Sequence, residues 1–177
     1  PEGVVPGRLS PKNKGNLRTN RRRNRTMATR EELQHLLEES GDKENPGPEE
    51  LKSLMERVRT VAVVGISRNP EKPARRVPAY LASKGYQIIP VNPFVDEIFG
   101  IPAKDSLDEI TEPVDMVVVF RPSEEAATVA ESAMKRPERP AIWLQKEIRA
   151  DEVAQRARDL GFTVVQDMCT YEVHKAL

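Results

Sequence analysis

The chain has 177 residues and a formal net charge of zero, because 28 Lys and Arg balance 28 Asp and Glu. This length suits one domain with a single core that buries roughly two thirds of the unfolded surface. No apolar run approaches the roughly 20 residues that cross a bilayer, and the N-terminus lacks the apolar core of a secretory signal. With a single cysteine, Cys169, an internal disulfide is excluded. We therefore expect a soluble, cytoplasmic protein without a membrane partner.

Positive charge is concentrated at the N-terminus. Residues 1–26 carry eight Lys and Arg against one Glu, which leaves 20 basic and 27 acidic residues in the rest of the chain. This basic tail has almost no apolar periodicity, so we predict that it is disordered. Its Arg21–Arg23 run could bind nucleic acid through salt-sensitive phosphate contacts. The alternative is that Met27 is the natural start and that the tail lies upstream of it. We favour this alternative and do not expect nucleic acid as a partner.

Residues 27–58 are predicted to form N-terminal helices. The capping-box spacing that begins at Thr29 predicts the start of the first helix, and Gly and Pro over residues 41–48 end it. A second helix begins near Pro48, since proline suits the first turn of a helix, and it leads into the first strand. The pattern leaves open whether these helices form a lid, contact a second copy or cover the sheet.

Strands and helices alternate over residues 59–177. The predicted strands are Val61–Ile66, Tyr86–Val91, Asp115–Phe120, Ala141–Leu144 and Thr163–Val165. The predicted helices are Ala74–Lys84, Ser106–Ile110, Ser123–Lys135, Ala150–Leu160 and Cys169–Ala176. Strand runs that are apolar throughout are typical of strands covered on both faces. The sequence therefore predicts an α/β fold, a Rossmann-like doubly wound sheet of about five parallel strands with flanking helices.

The turn after the first predicted strand has the composition of an anion site. It joins Gly65 and Ser67 to three cations, Lys72, Arg75 and Arg76, beside the start of a helix. Helix N-termini favour anions and guanidinium groups bind phosphate in a bidentate manner, so we expect a phosphate-rich ligand. Ser67 could equally be a turn or helix cap, and each cation alone could be a solvated surface charge.

Three later strand ends meet at the same edge of a parallel sheet with right-handed crossovers. The second strand ends at Asn92 and Pro93, the third at Phe120 and Arg121, and the fourth at Gln145. A ligand that lies along the edge would contact all three ends. Each residue has a structural alternative, because proline commonly ends strands, Phe120 could belong to the core, and Gln145 suits either role.

Two nucleotide classes fit this edge poorly. The dinucleotide fingerprint needs three glycines and an acid near the end of the second strand, whereas this chain has Gly65 alone and Asn92 in place of the acid. No Gly-Lys-Ser or Gly-Lys-Thr follows the turn, so a Walker A phosphate loop is missing as well. A small NAD(P)-linked oxidoreductase is therefore the alternative function and not the first one.

A family resemblance is carried by VAVVGIS, P-x-x-P-A-R-R-V-x-x-Y-L, PVNP, FRPSE, IWLQ and VQDMCTYEVH. In their order and spacing these motifs resemble the small, stand-alone CoA-binding proteins of Rossmann-like fold, which are similar to the CoA-binding domain of the succinyl-CoA synthetase alpha subunit. The resemblance covers about residues 50–177. It implies a cofactor, coenzyme A (CoA) or an acyl-CoA, that is bound reversibly at the carboxyl edge of the sheet. Because the family has no established reaction, it implies a non-catalytic binding, sensing or carrier module.

The resemblance also implies roles for the strand ends. It places the phosphates of CoA beside the residues of the first turn, which are Gly65, Ser67, Lys72, Arg75 and Arg76. It places the adenosine or pantetheine portions along the later ends, which are Asn92, Pro93, Phe120, Arg121 and Gln145. A homo-oligomer or a protein partner is left open.

We predict no catalytic constellation and no metal site. His35 and His174 lie on predicted helices without an evident partner, and no cluster of His, Cys and carboxylates has metal-ligand spacing. Cys169 could begin the last helix, where the helix dipole would lower its pKa and favour a mixed disulfide with CoA. The alternative is an inert, partly buried thiol.

Overall fold

A computed structural model describes residues 14–177 of the chain. In chain order the elements are α1 (Lys14–Glu39), α2 (Pro48–Arg57), β1 (Thr60–Val64), α3 (Pro73–Ser83), β2 (Gln87–Val91), β3 (Glu97–Ile98), β4 (Ile101–Pro102), the 3-10 helix Leu107–Glu109, β5 (Met116–Val119), α4 (Ser123–Met134), β6 (Ala141–Leu144), α5 (Asp151–Asp159), β7 (Val164–Val165) and α6 (Thr170–Lys175). The strands and helices predicted after residue 59 are all present, and their bounds differ by no more than two residues.

Five parallel strands form one sheet in the order β2-β1-β5-β6-β7. This confirms the predicted Rossmann-like, doubly wound α/β fold. The strand order reverses between β1 and β5, so the crevice at the carboxyl ends of these two strands is the topological switch point. Ligands of open α/β sheets bind in such a crevice.

The strands alternate between two cores because successive side chains point to opposite faces of a sheet. In β1, Val61 and Val63 join the core under α1, α2, α3 and α6, whereas Ala62 and Val64 join the core under α4 and α5. Trp143 of β6 is fully buried in the first core. Both faces of the sheet are therefore covered, as the continuously apolar strands predicted.

The N-terminal helices complete the first of these cores. Leu33 of α1 and Leu51, Leu54 and Met55 of α2 are buried among the strand residues of that face. α2 buries one apolar stripe and ends at Arg57, directly before β1. Of the three roles that the sequence left open for these helices, the contacts show that they cover the sheet.

The first helix is longer than predicted. α1 begins at Lys14, so Thr29 lies inside it and residues 14–26 of the predicted disordered tail are helical, whereas residues 1–13 lie outside the described residues. Helix is compatible with this segment because no proline occurs from residue 14 to residue 45 and arginine is a good helix former. Within residues 14–177, no helix is long and apolar enough to cross a membrane.

The loop between α1 and α2 is attached to the edge strand β7 through Gln166. The Asn45 side chain pairs with the backbone of Gln166 as a neighbouring strand would. Its Oδ1 accepts the Gln166 N–H at 2.8 Å, and its Nδ2 donates to the Gln166 carbonyl at 2.9 Å. Ser40 Oγ donates to the same carbonyl at 3.1 Å. The loop thus satisfies backbone groups that an open sheet edge would expose.

A buried ion pair with α5 also holds the loop between α1 and α2. Arg158 Nη2 of α5 lies 2.8 Å from Oδ2 of Asp42, whose side chain is only 5% exposed, and Gln166 Nε2 donates to the same oxygen at 2.8 Å. Burial alone would raise the pKa of Asp42, but hydrogen bonds from Arg158, Gln166 and the Glu44 amide hold it below its ordinary value. Asp42 therefore keeps its charge in the folded protein at neutral pH.

A β-hairpin with a two-residue loop, which lies between β2 and β5 in the chain, was not predicted. β3 and β4 pair antiparallel with Ile98 opposite Ile101, and the two loop residues, Phe99 and Gly100, both have positive φ, 57° and 73°. Positive φ at both loop residues is typical of a type I′ turn, whose first position usually holds Asn, Asp or Gly. The Arg75 guanidinium lies 3.9 Å from the centre of the Phe99 ring and supports the turn by a cation–π contact.

Candidate functional site

The loop from β1 to α3 lies at the switch point, and three hydrogen bonds join it to residues at the end of β2 and in α3. The Gly65 N–H donates to the Val91 carbonyl at 3.0 Å, which extends the pairing of β1 with β2. Asn92 Nδ2 donates to the Ile66 carbonyl at 2.8 Å, and the Ser67 N–H donates to the Ala74 carbonyl at 3.1 Å. The loop is therefore held in one conformation by the strand on one side and the helix on the other.

Pro78 makes the last of these bonds available. It lies inside α3, and a proline has no N–H to donate to the carbonyl four residues earlier, which is that of Ala74. The freed Ala74 carbonyl accepts the Ser67 N–H. Pro78 was not among the predicted site residues. Its position in the sequence nevertheless indicates that the carbonyl of Ala74 is free to accept a hydrogen bond from outside the helix.

Gly65 is required by both its backbone and its neighbour. Its φ is +84°, a region that side chains disfavour, and a Cβ at this position would lie 2.7 Å from Cδ of Arg121. Arg121 in turn donates from Nε to Glu125 at 2.6 Å. The ends of β1 and β5 thus approach each other closely, and the glycine allows it.

A pocket of about 740 Å³, the larger pocket, lies on the α3 and α6 side of the switch point. Its volume is in the range that small-molecule ligands occupy. It is lined by α3, the end of β5, the loop after β6 and the start of α6, and it brings together Lys72, Arg76, Phe120, Gln145 and Cys169 of the predicted residues.

A second pocket of about 250 Å³, the smaller pocket, lies on the other side of the same point. It brings together Gly65, Asn92, Pro93 and Arg121. Phe94, which the sequence analysis passed over, also lines it and is 81% exposed. The Phe94 N–H donates to Asn92 Oδ1 at 2.9 Å, so a local turn holds the exposed ring at the pocket.

Two predicted residues, Ser67 and Arg75, line neither of these pockets. Ser67 Oγ accepts the Asn69 N–H at 3.1 Å, which agrees with the alternative of a turn cap. Arg75 is stacked on Phe99, as described above. The neighbouring cations Arg75 and Arg76 therefore have different surroundings, because adjacent residues on a helix face different directions.

Gln145 lines the larger pocket but is buried and already paired. Its Nε2 donates to Thr170 Oγ1 at 2.7 Å, and its Oε1 accepts the Thr170 N–H at 3.3 Å. These bonds join the end of β6 to the first residue of α6. These contacts agree with the structural alternative for Gln145, and its contact with a ligand stays a prediction.

Cys169 lies beside the larger pocket, and the structure corrects the expected direction of its pKa. Burial raises the pKa of the thiol above its ordinary value, and the opposing hydrogen bonds from the amides of Glu172 and Tyr171 do not overcome this. α6 is only six residues long, so its dipole is small. At neutral pH the thiol form is favoured, which makes Cys169 a poor nucleophile.

His174 is not without a partner. Its Nδ1 and the Tyr80 hydroxyl share a hydrogen bond of 2.8 Å, and the rings of Tyr80 and Tyr171, which line the larger pocket, meet edge to face with their centres 4.6 Å apart. Burial, with a smaller contribution from Lys84, lowers the pKa of His174 from 6.5. His35 also has a partner, since its Nε2 lies 3.3 Å from Glu39.

The lowered pKa of His174 predicts an acid-sensitive contribution to stability. At pH values between the pKa of His174 in the folded protein and 6.5, this histidine binds more protons in the unfolded chain than in the folded one. The free energy of unfolding therefore falls as the pH drops below 6.5, and the contribution of His174 is fully present above pH 6.5. When the pH is lowered from about 7.5 to about 5.5, we expect the free energy of unfolding to fall less in the His174→Gln variant than in the parent chain. Urea unfolding at both pH values checks this, and equal losses in both proteins would contradict it.

A family model described as CoA binding domain matches residues 59–175. The chain belongs to this CoA binding domain family. The matched residues contain the whole five-stranded sheet and all the predicted site residues that line the two pockets. The helices α1 and α2 lie before the matched residues.

Three similar proteins are matched over nine tenths or more of their own length. The uncharacterized protein YneT of Bacillus subtilis (strain 168) is 38% identical over 131 residues, which cover 74% of this chain and 96% of that protein. The structure of cell-free ID.343 from Thermus thermophilus has 38% identity and a TM-score of 0.67 over 72% of this chain and 96% of that one. A hypothetical protein from Pyrococcus horikoshii OT3 has 28% identity and a TM-score of 0.69 over 73% and 90%.

The CoA binding domain also contains site residues that the sequence analysis missed. Lys146 and Glu147 follow β6 and line the larger pocket together with Glu172, which lies 3.8 Å from Lys146. Glu147 has a φ of +68° and its N–H donates at 2.6 Å to Asp167, which has a φ of +53°. Such backbone angles are often found at binding sites, and they leave no signal in residue type.

Proposed function

We propose that the chain binds CoA or an acyl-CoA reversibly in the crevice at the carboxyl edge of the sheet, as a non-catalytic binding, sensing or carrier module. The observation that carries this proposal is the larger pocket at the switch point, with apolar walls and two cations, Lys72 and Arg76, beside the start of α3. Membership of the CoA binding domain family supports the choice of ligand.

The phosphates of the ligand belong beside α3. Lys72 immediately precedes this helix and Arg76 lies in its first turn, so two cations and the positive end of a helix dipole occur together. The helix starts with Pro73, and its first turn contains no acidic residue that would repel an anion. A pyrophosphate at this position would be neutralised by hydrogen bonds from charged donors.

The adenine base belongs in the smaller pocket. Phe94 offers an exposed aromatic face there, and Asn92, whose side chain is tied to Ile66 and Phe94, fixes the loop that presents it. Stacking of a base on an aromatic ring is a common mode of nucleotide recognition. The ligand would then pass over Gly65 between the two pockets, where a side chain would obstruct it.

The proposal of a non-catalytic role is supported by how the candidate catalytic groups are used. His174 is hydrogen-bonded to Tyr80, His35 lies beside Glu39, and burial raises the pKa of Cys169. The mixed disulfide of Cys169 with CoA stays a prediction: the Cys169 thiolate would attack CoA disulfide and release one CoA thiolate. Because the pKa of Cys169 is raised, this exchange would be faster at alkaline pH. No group of three or more His, Cys, Asp or Glu among residues 14–177 is arranged to hold a metal ion.

Isothermal titration of the whole chain against CoA, acetyl-CoA, NAD and NADP tests the proposal. We expect CoA and acetyl-CoA to bind and both dinucleotides to bind far more weakly. A variant with Arg21, Arg22 and Arg23 replaced by Gln serves as the control for binding to the basic half of α1, and its affinity for CoA should equal that of the parent. Binding of NADP alone would support the oxidoreductase instead, and loss of CoA binding in the control would move the site to α1.

A further inference from the structure

We propose that the larger pocket takes the apolar acyl chain of a CoA thioester, so that the protein selects acyl-CoA over free CoA and discriminates by chain length. This inference rests on the proposed function and adds the class of acyl group to it. It is carried by the composition of the pocket wall, the state of the polar groups in it and the position of its cations.

The wall of the larger pocket is largely carbon. Val77 and Tyr80 contribute from α3, Phe120 from the end of β5, Ile148 from the loop after β6 and Tyr171 from α6. Val77 is almost fully buried, and the other four are partly buried, so their apolar surface remains accessible to a ligand. Covering such surface with methylene groups is favourable because it removes apolar area from water.

Two uncharged polar groups of this wall, Gln145 and Tyr80, are already hydrogen-bonded to other residues of the protein, whereas Lys146, Glu147 and Glu172 add charged groups to the lining. Gln145 is bonded to Thr170 through both ends of its amide, and Tyr80 shares its hydroxyl with His174. Within the described residues, no buried side-chain nitrogen or oxygen lacks a hydrogen-bond partner. A wall that was built for a polar group would present donors or acceptors to it, because a polar ligand group buried without them costs free energy. The apolar part of the wall instead suits a group without hydrogen-bonding atoms.

The cations give the ligand its direction. Lys72 and Arg76 are exposed and lie at the α3 end of the pocket, where the phosphates are proposed to bind. The smaller pocket, on the other side of Gly65, is the place for the adenine base. With the phosphates at the α3 end of the larger pocket and the adenine base in the smaller one, the pantetheine arm and the thioester at its end are directed into the larger pocket.

The affinity for a series of thioesters tests this inference. The dissociation constants of the whole chain for CoA and for acetyl-, butyryl-, hexanoyl- and octanoyl-CoA are measured by isothermal titration. We expect the dissociation constant to fall with each added methylene, by at most about fourfold per group. A constant that is the same from CoA to octanoyl-CoA would overturn the inference and leave the proposed function intact. Absence of binding to CoA and to every thioester would overturn both.

A filled pocket provides the second test. Ile148→Trp adds volume inside the larger pocket, so the longer thioesters should lose at least tenfold in affinity while CoA loses less. Met134→Trp is the matched control, because Met134 is also partly buried against the same core but lines neither pocket. Its chain-length dependence should equal that of the parent, and an equal loss for all ligands in Ile148→Trp would contradict the assignment of the acyl chain.

Discussion

Arg158→Ala should lower the free energy of unfolding by about 3 kcal/mol, the low end of what breaking a buried ion pair costs. Removal of the guanidinium leaves Asp42 charged and 5% exposed, with Gln166 as its remaining side-chain donor. The loop between α1 and α2 should loosen as a result, because Asp42 is one of its attachments to the sheet edge. Urea unfolding of the parent and variant chains measures this loss.

Arg156→Ala is the matched control on the same helix. Arg156 lies 2.6 Å from Glu131, but both side chains are about half exposed, so this pair should contribute about 1 kcal/mol or less. Both variants lose one positive charge from α5. The difference between their free energies of unfolding therefore measures the effect of burying the ion pair. Equal losses in both variants would show that the Asp42 pair does not hold the N-terminal segment as described.

Arg76→Ala should weaken CoA binding by about 1.5–3 kcal/mol, which is about 10- to 150-fold in the dissociation constant. The reason is the loss of charge-assisted hydrogen bonds to phosphate at the start of α3. Arg75→Ala should change the affinity by less than threefold, since its guanidinium is stacked on Phe99 and lines neither pocket. Isothermal titration of both variants with CoA checks the pair.

The two arginines are adjacent and carry the same charge, so a general electrostatic effect would weaken binding in both variants to a similar degree. That result, or an unchanged affinity in Arg76→Ala, would contradict the position of the phosphates beside Lys72 and Arg76. Unfolding measurements on both variants separate a loss of binding from a loss of fold. Arg75→Ala should itself cost about 0.5–1 kcal/mol of stability through the lost cation–π contact.

The sheet could be predicted from the sequence because its signals are local. Runs such as Val117–Val119 are apolar throughout, Gly and Pro separate them from amphipathic helices, and the connection rules then order the strand ends along one edge. The hairpin of β3 and β4 gave no such signal. Its strands have two residues each, and Phe99 occupies a turn position where Asn, Asp or Gly is usual.

The site was predictable in its position and less so in its members. The strand ends are brought together by topology, but the choice between Arg75 and Arg76 depends on the rotation of α3 and on a contact with Phe99. The roles of Gln145 and Asn45 depend on partners 25 and 121 residues away in sequence. The pKa of Cys169 depends on how deeply the thiol is buried. None of these long-range contacts is visible in a local pattern.

Titration of the isotope-labelled whole chain with CoA, followed through backbone amide chemical shifts, is the most direct test of where the ligand binds. We expect the largest shifts in the loop and first turn over residues 65–76, with further shifts at residues 92–94 and 120–121. Shifts confined to the basic half of α1, or no shifts at saturating CoA, would contradict a CoA site at the carboxyl edge of the sheet.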